Sequence, residues 1–229
     1  MNPQEFERFA VCDKNGFISF YNIEKNNNNI SFSFIFKKKC HDSGINCILN
    51  LPDEEMLVSL SYENLIFWEI QNRDLRSLYE FRNNSAAYYK DSLLAIDGNL
   101  LVGEYNGIRV YRYDGRRISY SFFYKNKEFG NVYSIKHLGN NYFICGRSFG
   151  FCSIFLLRER TKNIRKINIF RNNNLRTSDE EFEVMNDNYL INNICVKRTS
   201  ADRGNILVSS VDKTLKAYSY SFRQNDYIE

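Results

Sequence analysis

One stretch decides the fold of this chain, and it reads Leu57-Val58-Ser59-Leu60-Ser61-Tyr62-Glu63-Asn64-Leu65-Ile66-Phe67-Trp68. A run of apolar and small residues is followed by a polar turn and by a second apolar run that ends in an aromatic residue. Short apolar runs bounded by turn residues predict two β-strands joined as a hairpin. The pattern returns four more times, with the closing aromatics Tyr21, Tyr111, Phe155 and Tyr218.

The spacing of these aromatics predicts a repeat. They lie 47, 43, 44 and 63 residues apart, and the longest interval holds a charged insertion near residues 158–186. Self-similarity at a period of about 40–50 residues indicates stacked supersecondary units. Alternating segments between the hairpins, such as Ile30–Lys38 with Phe32, Phe34 and Phe36 expected on one face, raise the count to four strands per unit. Two-residue hairpin turns are predicted at Asp97-Gly98, Asn106-Gly107 and Gly139-Asn140.

Composition supports an all-β chain that forms one domain over residues 1–229. Aromatic residues make up 16% of the sequence, which favours strands. A net charge of +4 is too small to indicate a nucleic-acid-binding face. The six cysteines show no paired spacing, which favours free thiols in a reducing compartment. With no signal-peptide pattern and no apolar run of about 20 residues, we expect a cytoplasmic or nuclear location and no membrane partner.

The second unit resembles a WD40 repeat. The resemblance rests on His41, on Ile45 and on the strands Leu57-Val58-Ser59 and Leu65-Ile66-Phe67-Trp68-Glu69, and it extends over roughly residues 8–222. It implies a β-propeller of about five four-stranded blades. In that family a His, a Ser or Thr, a turn Asp and the Trp hydrogen-bond to one another. Here His41, Ser59 and Trp68 match, whereas Glu63 stands where Asp is usual.

Strand counting leaves the closure of this propeller open. The chain begins inside a first blade, supplies three complete blades, and has only Asp226–Glu229 left for the outer strand of the fifth. WD40 propellers usually have seven blades and close by pairing the two chain ends. The alternatives are a compact five-bladed ring, an open or incomplete ring completed by a partner protein, and a piece of a longer protein.

No catalytic residue, cofactor or metal site is predicted. His41 and His137 are the only side chains that titrate near neutral pH without a large perturbation, and no nucleophile elbow, phosphate loop or paired metal-ligand spacing occurs. We interpret His41 as a hydrogen-bonded residue inside the blade and His137 as a solvated residue beside a turn.

The candidate binding residues form two sets. By analogy with WD40 proteins, the turns between middle strands present a rim to protein partners through Tyr62, Tyr105, Arg147 and Phe149. The insertion supplies a basic set in Arg158, Arg160, Lys162, Arg165 and Lys166. An acidic run follows this set. The isoleucines of the insertion also suit the outer strand of the fourth blade.

The leading hypothesis is a non-enzymatic scaffold that mediates protein–protein interactions within a larger complex. An RNA-associated propeller that uses the basic segment 158–176 is one alternative. A glycosidase-like five-bladed propeller with converging acids is another.

Overall fold

The computed structural model describes residues 7–26, 29–51, 55–82, 92–115, 117–125, 130–148, 151–158, 163–167, 182–183, 191–200, 203–211, 213 and 215–221. These residues form five small antiparallel sheets and contain no α-helix, so the predicted all-β class is confirmed. The chain divides into two compact units, Met1–Ala86 and Ala87–Glu229. The single domain over residues 1–229 stays a prediction.

The first unit contains two sheets. The first sheet has the order β1-β2-β3, and its strands are β1 (Glu7–Cys12), β2 (Phe17–Asn26) and β3 (Asn29–Lys39). The second sheet has the order β4-β5-β6-β7, with β4 (Ile45–Asn50), β5 (Met56–Ser61), β6 (Asn64–Gln71) and β7 (Asp74–Arg82). Each strand in the second sheet pairs with its neighbour in sequence, so this sheet is the predicted four-stranded meander.

The second unit contains three sheets. The third sheet is a meander of β8 (Leu93–Ile96), β9 (Asn99–Glu104), β10 (Gly107–Asp114) and β11 (Arg117–Lys125). The fourth comprises β12 (Val132–Gly139), β13 (Tyr142–Arg147), β14 (Phe151–Arg158) and β15 (Asn163–Ile167), and the short β16 (Phe182–Glu183) also pairs with β14. The fifth has β17 (Ile191–Arg198), β18 (Arg203–Ser210) and β19 (Leu215–Ser221).

Turn chemistry explains the hairpins. Asp97 and Gly98 have φ values of 45° and 69°, as a two-residue hairpin with two positive φ angles requires. The other two predicted turns are wrong by one residue. Glu104 pairs with Gly107, so Tyr105 and Asn106 form that turn. Gly139 likewise pairs with Tyr142, which leaves residues 140–141 in the loop.

A β-bulge recurs next to the closing aromatic in the first three sheets. The register shifts between Phe20 and Tyr21 in the first sheet, and equivalent shifts precede Trp68 and Tyr111. A bulge adds one residue to one strand and so reverses the alternation of its side chains. The expectation that Phe36 shares a face with Phe32 and Phe34 is therefore wrong.

The two faces of β3 show the effect of this bulge. Phe36 stacks on Phe20 at a centroid distance of 4.7 Å and packs against a buried cluster. Phe32 and Phe34, by contrast, are 62% and 60% exposed.

The core lies between successive sheets inside each unit. In the first unit, one cluster joins the first and second sheets through Ile18, Phe20, Ile66 and Trp68. In the second unit, two clusters join the third sheet to the fourth and the fourth to the fifth. Gly146 is required at the last of these junctions, because a Cβ there would lie 3.0 Å from Ile191 Cβ.

Candidate functional site

A buried hydrogen-bond network links the two strands of the quoted stretch to the loop before β4. Ser59 lies at the centre of β5 and is fully buried. Its Oγ accepts a hydrogen bond from Trp68 Nε1 at 2.7 Å and lies 2.6 Å from His41 Nε2. The predicted contacts among His41, Ser59 and Trp68 are therefore present. Trp68 and His41 also meet edge to face, with centroids 6.4 Å apart.

Burial keeps His41 neutral. The side chain is 4% exposed, and loss of hydration lowers the pKa of His41 to about 4. Its Nδ1 has no hydrogen-bond partner within the described ranges. The turn acid that the family pattern would provide is Glu63 in this chain, and Glu63 is exposed. Among the described residues, the network thus contains three side chains.

The turn between β1 and β2 holds the His41 loop in place. Asp13 Oδ1 accepts the backbone N–H groups of Asn15 and Phe17, which fixes the turn. The Gly16 carbonyl then accepts the N–H groups of Cys40 and His41 at 2.8 and 3.1 Å. Gly16 has a φ of 81°, and its close approach to the His41 carbonyl leaves no room for a Cβ. Glycine is therefore needed at this position.

Two predicted binding residues lie on exposed turns. Tyr62 follows β5 and is 54% exposed, while Tyr105 follows β9 and is 55% exposed. Both turns are held by hydrogen bonds: Ser61 Oγ accepts Asn64 N–H at 3.1 Å, and Asn106 N–H reaches the Gly130 carbonyl at 2.9 Å. The tyrosines thus occupy equivalent positions in two repeats, one in each unit, and each is presented on an ordered backbone.

The equivalent turn of the fifth sheet carries a residue that sequence reasoning missed. Val211 follows β18 and is 55% exposed. A hydrogen bond from Lys213 N–H to the Ser210 carbonyl closes this turn at 3.2 Å. The position of Val211 in the repeat was the available signal, because it follows Leu207-Val208-Ser209-Ser210 as Tyr62 follows its own strand.

Arg147 is not on an exposed surface. This side chain is 1% exposed, and its guanidinium donates to Ser153 Oγ at 3.1 Å. The expected surface position is wrong, because Arg147 ends β13, whose residues are buried along the whole strand. Phe149 lies outside the described residues.

The basic set is only partly described. Arg158 ends β14 and is half-buried. Arg165 and Lys166 belong to β15, which pairs with β14, so that part of the insertion is the outer strand that the sequence suggested. Arg160 and Lys162 lie outside the described residues, as does most of the segment 158–176. Their role in binding stays a prediction.

A second buried charge occurs one residue before Tyr105. Glu104 is 2% exposed and forms a two-point ion pair with Arg109 across the hairpin, with Arg109 Nη2 lying 2.9 Å from Oε2. This pair spans the turn that presents Tyr105. It therefore supports the geometry of that turn.

Some further features bear on function. Among the described residues no group of three or more His, Cys, Asp or Glu side chains is arranged to hold a metal ion. The described part of the chain also has no helix of the length and apolarity needed to cross a membrane. His137 Nε2 lies 2.5 Å from the Asn140 carbonyl at the turn after β12.

No protein-family model matches the chain, and no curated protein matches it significantly.

Proposed function

We propose that this chain is a WD40-like β-propeller of about five blades that acts as a non-enzymatic scaffold for protein–protein interactions. The sheets hold the turns at defined positions, and rigid turns lower the entropy cost of binding a partner. In this proposal the chain is a subunit of a larger complex, and its direct ligands are proteins.

Two features support the WD40-like architecture. The first is the His41–Ser59–Trp68 network, whose three members were identified from the family pattern; Ser59 Oγ lies 2.6 Å from His41 Nε2 and 2.7 Å from Trp68 Nε1. The second is the repeated bulge before the closing aromatic of the first three sheets. Radial packing of such meanders protects their faces and leaves short edges.

A single observation carries the scaffold function: Tyr62 and Tyr105 occupy equivalent turns and expose more than half of their side chains. Tyrosine is among the residues that dominate binding energy at protein interfaces. A propeller that only needed packing would bury these rings or replace them by polar turn residues. The buried His41 offers no competing catalytic interpretation, because its ring lies inside the second sheet.

The test compares proteins retained from cell extract by tagged full-length chains. The variant Tyr62→Ser/Tyr105→Ser removes both turn aromatics, and the control Tyr120→Ser removes a ring on β11 that is 53% exposed. We expect a defined set of proteins to be retained by the unmodified chain and by the control, and to be lost by the double variant. Retention of the same set by all three chains, with unchanged thermal unfolding, would contradict the role of these turns.

A further inference from the structure

Among the described residues, the first sheet has an open edge at β1. In the second, third, fourth and fifth sheets, the strand equivalent to β1 has a partner on both sides, since β5, β9, β13 and β18 each pair with two strands. Within the described ranges, β1 pairs with β2 alone. The position that β4, β8, β12 and β17 fill in their own sheets is therefore open in this one.

The burial of β1 differs from that of three of its counterparts. Every residue of β5, β9 and β13 is buried, whereas in β1 Ala10 and Cys12 are half-buried and Val11 is 48% exposed. The strand β18 pairs on both sides and still leaves Leu207 41% exposed, so exposure alone does not identify an open position. The pairing pattern does, because among the described residues β1 has one partner where its counterparts have two.

The register identifies the backbone groups of β1 that do not face β2. Asp13 N–H donates to the Phe17 carbonyl at 3.0 Å, and hydrogen-bonded pairs alternate along an antiparallel ladder. Phe9 and Val11 therefore bond to β2, while the N–H and C=O groups of Arg8, Ala10 and Cys12 point away from it. An edge of this type is a template for pairing with another strand.

We propose that the β1 edge binds an extended segment of a partner protein, which adds a fourth strand to the first sheet. The other four sheets define the chemistry of that segment. Their strands at this position carry isoleucine, leucine or valine, as in Ile45–Asn50, Leu93–Ile96 and Val132–Gly139. The ligand is thus a short segment in β conformation that combines aliphatic with polar side chains, recognised through the backbone groups of Arg8, Ala10 and Cys12 and through the side chains of Phe9 and Val11.

This inference deepens the proposed scaffold function, because it names the kind of partner and the place where it binds. It depends on β1, whereas the turn test depends on Tyr62 and Tyr105, so the two can fail separately. If the Tyr62→Ser/Tyr105→Ser variant retains the same proteins as the unmodified chain, the proposed role of the turns fails. The β1 edge can still be a binding site in that case.

Amide hydrogen exchange, measured by NMR on the full chain, tests the edge. The probe is a copy of Val132–Gly139, joined ahead of Met1 through a flexible Gly/Ser linker that raises its effective concentration. The matched control carries proline in place of Ser134 and Lys136 within the copied strand, which prevents strand pairing.

We expect the amides of Arg8, Ala10 and Cys12 to exchange freely in the untethered chain and about tenfold or more slowly with the probe. The amides of Phe9 and Val11 should stay protected in both. Substituting Ala10→Pro removes an outward N–H without touching the β2 ladder, and it should abolish the effect of the probe.

Three results would overturn the inference. If Arg8, Ala10 and Cys12 are already as protected as Phe9 and Val11 in the untethered chain, then the chain covers its own edge. If the probe slows none of the three amides while Phe9 and Val11 remain protected, then the edge does not accept a strand. A proline control that protects as well as the probe counts against the inference in the same way.

Discussion

Replacing Ser59 by alanine tests the buried network most sharply. The substitution removes one oxygen and leaves Trp68 Nε1 and His41 Nε2 without the partner that each has at 2.6–2.7 Å. All three side chains are at most 5% exposed, so water cannot readily replace the lost bonds.

The expected cost follows from this burial. A buried polar group left without its partner costs about 1–3 kcal/mol, and two such groups are created here. We therefore expect Ser59→Ala to lower the free energy of unfolding by about 2–6 kcal/mol. Domains are stable by only about 5–15 kcal/mol, so the loss is a large share of the total.

Denaturant unfolding, followed by the fluorescence of Trp68, measures this loss. The control is Ser209→Ala on the fifth sheet, where Oγ makes an exposed contact of 3.4 Å to the Asn193 carbonyl. That change should stay within about 0.5 kcal/mol. A Ser59→Ala loss as small as that of the control would refute the network as a stabilising element.

Three further predictions follow from single contacts. Burial lowers the pKa of His41 to about 4, so the unfolded chain takes up the proton at a higher pH than the folded chain does. The free energy of unfolding should therefore fall by up to about 3 kcal/mol as pH drops from 6.5 to 4. In equilibrium unfolding of His41→Gln, the free energy of unfolding should depend less steeply on pH, and an equally steep dependence would contradict the assignment to His41. Gly146→Ala would press a methyl group onto Ile191 and should destabilise by about 1–3 kcal/mol in thermal unfolding; an unchanged midpoint would contradict that packing. Tyr220→Phe removes the 2.6 Å hydrogen bond to the Leu138 carbonyl and should cost about 1–2 kcal/mol, whereas an equally stable variant would contradict it.

The strands could be predicted because local sequence determines them. Alternation and turn residues identified Met56–Ser61 and Asn99–Glu104 with the bounds that the structure shows. The bulge beside Phe20 could not be predicted, because it depends on how β2 and β3 pair across the sheet. For the same reason, the sequence did not show that Phe36 turns inward while Phe34 turns outward.

The candidate site residues were also predicted only in part from the sequence. Tyr62 and Tyr105 were predicted to lie on turns, and both are exposed. Arg147 was assigned to the same surface by analogy with the turns of WD40 proteins and because arginine is common at interfaces, yet it is buried beside Ser153. Nothing in the local sequence distinguishes a buried arginine at a strand end from an exposed one. Val211 was missed because aliphatic turn residues give no strong interface signal.

Small-angle X-ray scattering with in-line light scattering tests the proposed β-propeller most directly. A compact chain of 229 residues has an expected radius of gyration of about 17 Å. The account predicts a monomer with a radius of about 17–19 Å and a single compact scattering profile. A monomer with a radius well above 20 Å and a profile of two separated bodies would contradict it.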